Sequence, residues 1–312
     1  MNNSNSLSIP RPSASGEGFS YPYLSATQQQ NLPELIQLTP LPKMFDDSTH
    51  QLWRCDTVEG EFMLKVCDGN AVANSTFWQG MSLLFDVQLP AQLGEFKGVY
   101  DLISQHSPLM IPDHIASDSE NSNKQQRAFI LTKMLSGSMV EPHDVDDEMM
   151  KALAKHISQM HAQQQTTWGR VTQPELALDD WPIRLQNTLI TLAVQQDIPG
   201  NLLAEALSQA KTIKADFAVP IMLDLRWDQF LQENGKLSAL VDLDAIVYAP
   251  RELELVLLEY ILTPKQAIIF KSEYPYSIDL SQVRQPYRLL LFLMNVLGKK
   301  DVGCWMQREY GF

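Results

Sequence analysis

The stretch that decides the fold is residues 221–231 (IMLDLRWDQFL), together with residues 237–242 (LSALVD) a few positions later. Short apolar segments lie before Asp224, after Gln229 and before Asp242. Polar residues that interrupt such runs mark the places where strands end. The pattern predicts that these three side chains belong to one site.

A hairpin signal joins the last two apolar runs. The dipeptide Asn234-Gly235 lies between them, and this pair strongly favours a two-residue β-turn. A short strand followed by a hairpin forms a small sheet. The three polar side chains are then predicted to meet at one end of that sheet.

Two further strands are predicted upstream. In residues 62–66 (FMLKV) the larger apolar side chains alternate with Met63 and Lys65, which places Lys65 on a strand. Residues 127–135 (RAFILTKML) form a continuous apolar run that ends near Gly137. This run predicts a buried strand that leads into a linker.

The residue types suit phosphoryl transfer. That reaction needs a carboxylate to position the acceptor hydroxyl, oxygen ligands for magnesium, and a cation on the nucleotide phosphates. Asp224 can serve as the carboxylate, Gln229 and Asp242 as the oxygen ligands, and Lys65 as the cation.

The decisive stretch resembles a known catalytic loop. Residues 221–231 are similar to the H-G-D-L-H-x-x-N loop of aminoglycoside phosphotransferases, choline kinases and fructosamine kinases. Residues 237–242 resemble the L-S-G-V-I-D segment of the same family. The intervals of five residues from Asp224 to Gln229 and thirteen from Gln229 to Asp242 are those expected in the family.

Upstream segments extend the resemblance to about residues 35–265. Residues 62–66 are similar to the strand that carries the phosphate-binding lysine, and residues 129–137 (FILTKMLSG) to the last N-lobe strand and hinge. The resemblance implies an α+β, bilobal protein-kinase-like fold, with a small antiparallel sheet of five strands in the N-lobe and a mainly helical C-lobe.

The same resemblance divides the chain into three parts and assigns roles to its residues. Residues 1–30 are expected to form a mobile or loosely docked arm, residues 31–135 the N-lobe and residues 136–312 the C-lobe. ATP and magnesium are the implied cofactors, and a small hydroxyl-bearing molecule is the implied partner. The implied nucleotide contacts are Lys65, Lys133, Met134 and Leu135, the metal ligands are Gln229 and Asp242, and the catalytic base is Asp224.

The sequence departs from the family pattern at several positions. Met222 stands in place of histidine and Gln229 in place of asparagine. Residues 42–53 contain no glycine for a phosphate-binding loop, and residues 71–87 contain no glutamate to pair with Lys65. The alternatives to an active small-molecule kinase are a pseudokinase that binds without turnover, and a transferase that uses the fold for another nucleotide-dependent reaction.

Other polar residues have simpler interpretations. Asp228 and Asp244 are interpreted as solvated or structural, and His156 and His161 as core or surface histidines. The acidic residues within 141–148 are expected to favour a helix N-terminus, with recognition of a cationic acceptor as the alternative.

Composition excludes several other classes of protein. The 312 residues are 45% hydrophobic, which is enough for a large core, and the net charge of −13 argues against nucleic-acid binding. The three cysteines lie far apart, so neither a disulfide framework nor a zinc site is indicated. The scattered cysteines fit a reducing cytoplasm, and with no apolar run long enough to span a membrane we expect a soluble protein; its oligomeric state is not predicted.

Overall fold

The computed structural model describes residues 19–45, 48–120 and 127–312. Residues 1–18 of the predicted arm therefore lie outside the described residues. From residue 19 the arm is packed on the N-terminal sheet, because Tyr21 and Leu24 are buried in an apolar cluster that also contains Trp53. The Tyr21 hydroxyl donates a hydrogen bond of 2.8 Å to the Pro33 carbonyl, which fixes this segment.

The N-terminal part of the chain forms an antiparallel sheet of five strands within the described residues. Its elements are α1 (Ala26–Gln29), β1 (Leu35–Leu41), β2 (His50–Thr57), β3 (Gly60–Cys67), α2 (Gly69–Ala73), α3 (Thr76–Phe85), α4 (Lys97–His106), β4 (His114–Glu120) and β5 (Arg127–Lys133). The strand order is β1-β2-β3-β5-β4, so β3 is central.

The register of β3 sets the position of Lys65. This residue pairs with Leu52 on β2 and with Ile130 on β5. Phe62, Leu64 and Val66 face the cluster around Tyr21, as the alternation in the sequence predicted. Because successive strand residues point to opposite faces, Lys65 points to the other side, where the rest of the molecule lies.

Helix α3 is fixed to the C-terminal part of the chain. A Cβ atom on Gly80 would lie 2.5 Å from Cγ of Met294, so only glycine permits this close approach. Arg184 Nε donates a hydrogen bond of 2.9 Å to the Leu83 carbonyl. The α3 side chains consequently belong to the same apolar core as the C-terminal helices.

The C-terminal part is mainly helical. Its elements are β6 (Ser138–Met139), α5 (Asp147–His161), β7 (Thr167–Arg170), β8 (Leu176–Ala177), α6 (Trp181–Ala193), α7 (Gly200–Ala210), β9 (Val219–Met222), β10 (Phe230–Glu233), β11 (Lys236–Leu240), β12 (Ile246–Ala249), α8 (Glu252–Ile261), α9 (Pro264–Glu273), α10 (Arg284–Leu293) and α11 (Val302–Met306). The predicted α+β class, a five-stranded antiparallel sheet followed by a mainly helical part, is confirmed. None of the described helices has the length and apolar character that a membrane crossing requires.

The predicted hairpin is β10–β11. Asn234 and Gly235 both have positive φ, 52° and 72°, as its tight turn requires. Strand β9 pairs with β12, and Met222 lies opposite Ile246. Asp224 therefore follows β9, and the segment that contains Asp242 connects β11 to β12.

Candidate active site

A cleft of about 890 Å³ opens between the five-stranded sheet and the hairpin region. Residues from both parts of the chain line it. All seven residues that the sequence analysis assigned to a site are among them: Lys65, Lys133, Met134, Leu135, Asp224, Gln229 and Asp242. The fold therefore brings residues as far apart in sequence as Lys65 and Asp242 into one place.

The loop after β9 holds Asp224 in a defined orientation. Gln229 Nε2 donates a hydrogen bond of 3.0 Å to Asp224 Oδ2, and Gln229 Oε1 accepts one of 2.9 Å from the Arg226 backbone N–H. A backbone N–H can only donate, so the second bond fixes which end of the amide faces Asp224. The loop thus positions Asp224 through the side chain of Gln229.

Asp224 is a carboxyl group in an unfavourable setting for a charge. Burial raises the pKa of Asp224 to about 7, and the negative charge of Asp242 adds to the shift. Oδ1 of Asp224 is buried and has no hydrogen-bond partner among the described residues. A carboxyl group with a pKa near 7 can exchange a proton at neutral pH, as a general base must.

Lys65 lies between two carboxylates. Its Nζ is 2.8 Å from Asp242 Oδ1 and 2.6 Å from Asp244 Oδ2. Burial alone would lower the pKa of Lys65, but these two charges outweigh burial and raise the pKa well above its ordinary value. Burial alone would raise the pKa of Asp242, but the positive charge of the Lys65 ammonium outweighs burial and lowers this pKa.

Asp244 is the site residue that the sequence analysis missed. It is buried and contacts Lys65, and its Oδ2 also lies 3.5 Å from Nδ1 of His50 on β2. The only local signal was that Asp244 follows Asp242 by two positions. Its partner Lys65 precedes it by 179 residues, so no local pattern could have revealed the contact.

A buried hydrogen-bonded group supports the loop from behind. Glu254 on α8 accepts a hydrogen bond of 2.7 Å from the Met222 backbone N–H and is 2.8 Å from His161 Nε2. Nδ1 of His161 is 2.6 Å from the Tyr274 hydroxyl. His161 and His156 are both buried, which agrees with the core alternative for these histidines.

The predicted hinge follows β5. The Lys133 N–H donates to the Asp113 carbonyl and the Met134 N–H to the Glu61 carbonyl, each at 2.9 Å. The Leu135 N–H has no hydrogen-bond partner within the described part of the chain. Leu135 lines the cleft, so this N–H is a candidate donor for a ligand.

The acidic residues within 141–148 do not line the cleft. Asp146 instead caps α5, because its Oδ1 accepts a hydrogen bond of 2.8 Å from the Met149 N–H. Asp147 pairs with Lys265, and Glu148 with Lys151. These contacts agree with the helix-terminus interpretation of this run.

Comparisons with known proteins give a fold. No protein-family model matches the sequence, and no curated protein matches it. Solved structures do match it, and three of them have TM-scores of 0.56, 0.59 and 0.55. The predicted bilobal kinase-like fold is therefore confirmed.

The first of these structures is a protein from Haemophilus somnus 129PT assigned as a fructosamine-3-kinase, which is 13% identical, with 90% of this chain and 92% of that chain covered. The second is a thermostable mutant of aminoglycoside phosphotransferase APH(4)-Ia in a ternary complex with ADP and hygromycin B. It is 15% identical, and the match covers 88% of this chain and 92% of that chain. The third is the GDP and kanamycin complex of APH(2″)-IIia. It is 13% identical, and the match covers 90% of this chain and 92% of that chain. At this identity the likeness establishes the kinase-like fold, and the function rests on the site.

Proposed function

We propose that the chain is an ATP- and magnesium-dependent phosphotransferase that acts on a small hydroxyl-bearing molecule. One observation carries the proposal: Lys65, Asp242, Gln229 and Asp224 line a single cleft together with the hinge segment. A cation, oxygen ligands and a carboxylate with a raised pKa are the groups that phosphoryl transfer requires.

The cleft suits a nucleotide. Its wall combines apolar side chains such as Leu52 and Met63 with the main-chain groups around Leu135. Apolar surface accommodates a base, and the Leu135 N–H is a donor for one of its ring nitrogens. Two structures of similar fold contain ADP or GDP, which supports a nucleotide as a ligand of this fold.

Magnesium fits the donor set. No group of three or more His, Cys, Asp or Glu among the described residues forms a metal cage. Magnesium in nucleotide sites does not need one, because it keeps water and phosphate oxygens as ligands. Asp242, whose side chain is 36% exposed, is the ligand best placed to reach it. Bound magnesium would neutralise the charge of the nucleotide phosphates.

Gln229 is the weaker of the two proposed metal ligands. Its amide oxygen already accepts the hydrogen bond from the Arg226 N–H. A carbonyl oxygen has a second lone pair, so this bond leaves one acceptor position. We assign Gln229 both to the metal and to the orientation of Asp224.

Asp224 is the proposed base. The hydrogen bond from Gln229 occupies Oδ2 and leaves Oδ1 without a partner among the described residues. The carboxylate of Asp224 would accept the proton of the acceptor hydroxyl as the oxygen attacks phosphorus. The raised pKa makes Asp224 a stronger base than an ordinary aspartate.

One observation favours a second candidate, a pseudokinase. Residues 42–53 include no glycine, and Phe45 lies over the Arg226 guanidinium with 4.6 Å between the charge and the ring centroid. A segment without glycine brings fewer backbone amides to the phosphates than a glycine-rich loop does. The fold would then bind a nucleotide without transferring phosphate.

A thermal-shift titration tests the proposed binding. A ligand that binds only the native state raises the unfolding midpoint. ATP with magnesium should raise the midpoint more than ATP with EDTA, and adenosine should raise it least. An unchanged midpoint with saturating ATP and magnesium contradicts both candidate functions.

A further inference from the structure

The two carboxylates around Lys65 differ in their access to the cleft. The Asp242 side chain is 36% exposed, whereas that of Asp244 is 5% exposed. A metal ion or phosphate entering the cleft can therefore reach Asp242 more easily. Asp244 remains with Lys65 on the buried side.

This difference matters once Asp242 binds a metal. Asp242 would then turn part of its charge away from Lys65, whose side chain is 9% exposed. A buried ammonium without a hydrogen-bonded partner is strongly unfavourable. Helix α3 carries no acidic residue to replace the lost partner, and neither does α2. Asp244 is the remaining carboxylate in contact with Lys65 among the described residues.

We propose that Asp244 is the positioning residue for Lys65, which it holds in place so that Asp242 is free to bind magnesium. This inference rests on the proposed function. The segment between β11 and β12 then holds the Lys65 ammonium, on β3, in place. Residues 71–87 contain no glutamate to pair with Lys65, and Asp244, from a distant part of the chain, pairs with it instead.

The surroundings of Asp244 keep it in place. His50 Nδ1 lies 3.5 Å from Asp244 Oδ2 and 3.4 Å from Thr49 Oγ1. Trp78 Nε1 donates a hydrogen bond of 3.1 Å to Thr49 Oγ1. Oδ1 of Asp244 has no hydrogen-bond partner within the described residues. A buried carboxylate oxygen without a partner is unfavourable, so packing alone does not explain an aspartate at this position.

The test compares four proteins: wild type, Asp244→Asn, Lys65→Met and the double variant. The quantity measured is the magnesium effect, defined as the Kd for ATP without magnesium divided by the Kd with it. In Asp244→Asn, Lys65 retains only Asp242 as a charged partner and competes with the metal for it. The magnesium effect should fall by roughly tenfold, since charge-assisted hydrogen bonds are the strong ones.

The Lys65→Met background separates positioning from direct metal binding. If Asp244 acts through Lys65, Asp244→Asn should change the magnesium effect little once Lys65 is removed. An equal fall in both backgrounds would make Asp244 a metal ligand and overturn the inference. Asp56→Asn, on the same sheet and outside the cleft, is the control and should match wild type.

A second measurement covers the case in which Lys65→Met does not fold. The side-chain ammonium signal of Lys65, identified by its loss in Lys65→Arg, should be visible by NMR in wild type with and without ATP and magnesium, because a buried hydrogen-bonded ammonium exchanges slowly. In Asp244→Asn the signal should remain without ligand, since Lys65 keeps Asp242, and disappear when ATP and magnesium are added. A signal that persists in Asp244→Asn with ATP and magnesium contradicts the inference. A wild type that binds no ATP overturns the proposed function and this inference together, whereas a wild type with an unchanged magnesium effect in Asp244→Asn overturns only the inference.

Discussion

Gln229 donates a hydrogen bond of 3.0 Å to Asp224 and at the same time accepts one of 2.9 Å from the Arg226 backbone N–H. One amide group therefore links the proposed base to the backbone of its own loop. Because Gln229 is buried, each of these bonds is sheltered from water. The position of Asp224 depends on this residue.

Replacement of Gln229 by leucine should destabilise the fold. Leucine has similar volume but leaves the Arg226 N–H and one Asp224 oxygen without partners. We expect the free energy of unfolding in urea to fall by about 1–3 kcal/mol. Gln232→Leu, at a more exposed glutamine of the hairpin, should change it by less than about 0.5 kcal/mol. Equal losses in the two variants would contradict the role given to Gln229.

Replacement of Asp224 by asparagine should alter how stability depends on pH. The pKa of Asp224 is about 7 in the folded protein, against an ordinary value of 3.8. Between pH 3.8 and pH 7 this carboxyl group is therefore ionised in the unfolded state and protonated in the folded state. Wild type therefore loses stability as pH rises through this window, and the loss is complete above about pH 7. Asparagine cannot ionise and still accepts the hydrogen bond from Gln229.

The difference between the Asp224→Asn variant and wild type should accordingly grow in favour of the variant, by about 2 kcal/mol between pH 5 and pH 8. Urea unfolding at the two pH values measures it. Asp216→Asn, at an exposed position, provides the comparison and should show little change. A difference that is the same at both pH values would mean that Asp224 ionises like an ordinary aspartate.

Glu254 should be needed for the stability of β9 and the loop that follows it. Glu254→Ala removes the acceptor of the Met222 N–H and the partner of His161 Nε2 in the core. We expect the free energy of unfolding to fall by about 3 kcal/mol, within the range for a broken buried pair. The exposed Glu273→Ala on α9 should have almost no effect. A small loss for Glu254→Ala would show that the loop does not depend on this support.

Asp242 should be required for the response to magnesium. Asp242→Ala is expected to abolish the extra thermal stabilisation that magnesium gives with ATP, because the variant lacks the exposed carboxylate next to Lys65. Stabilisation by ATP alone should persist through the hinge contacts. The control is Asp56→Ala, which should keep the full magnesium response. A response that survives in Asp242→Ala removes Asp242 from the metal site.

Local signals in the sequence predicted the parts of the structure that depend on neighbouring residues. Asn234-Gly235 predicted the hairpin because the turn requires positive φ at both positions. The spacing of Asp224, Gln229 and Asp242 predicted that they meet, and all three line the cleft. The roles given to these residues remain predictions.

The features that sequence patterns did not reveal depend on distant contacts. Tyr21 lies in a polar segment, and only its burial in the same apolar cluster as Trp53 shows that this segment is docked. The approach of Gly80 to Met294 joins positions more than two hundred residues apart. The contact of Asp244 with Lys65 is of the same kind, because the sequence around Asp244 indicates only a solvated or structural acid and does not identify its partner on β3.

The central claim is that the cleft transfers phosphate and that Asp224 activates the attacking oxygen. Slow hydrolysis of ATP to water in the presence of magnesium tests this claim without knowledge of the acceptor. We expect measurable hydrolysis by wild type and a fall of about 100-fold or more in Asp224→Asn, with the Kd for ATP and magnesium within about threefold of wild type. Equal hydrolysis by the two proteins, or no hydrolysis by a wild type that binds ATP and magnesium, would contradict it.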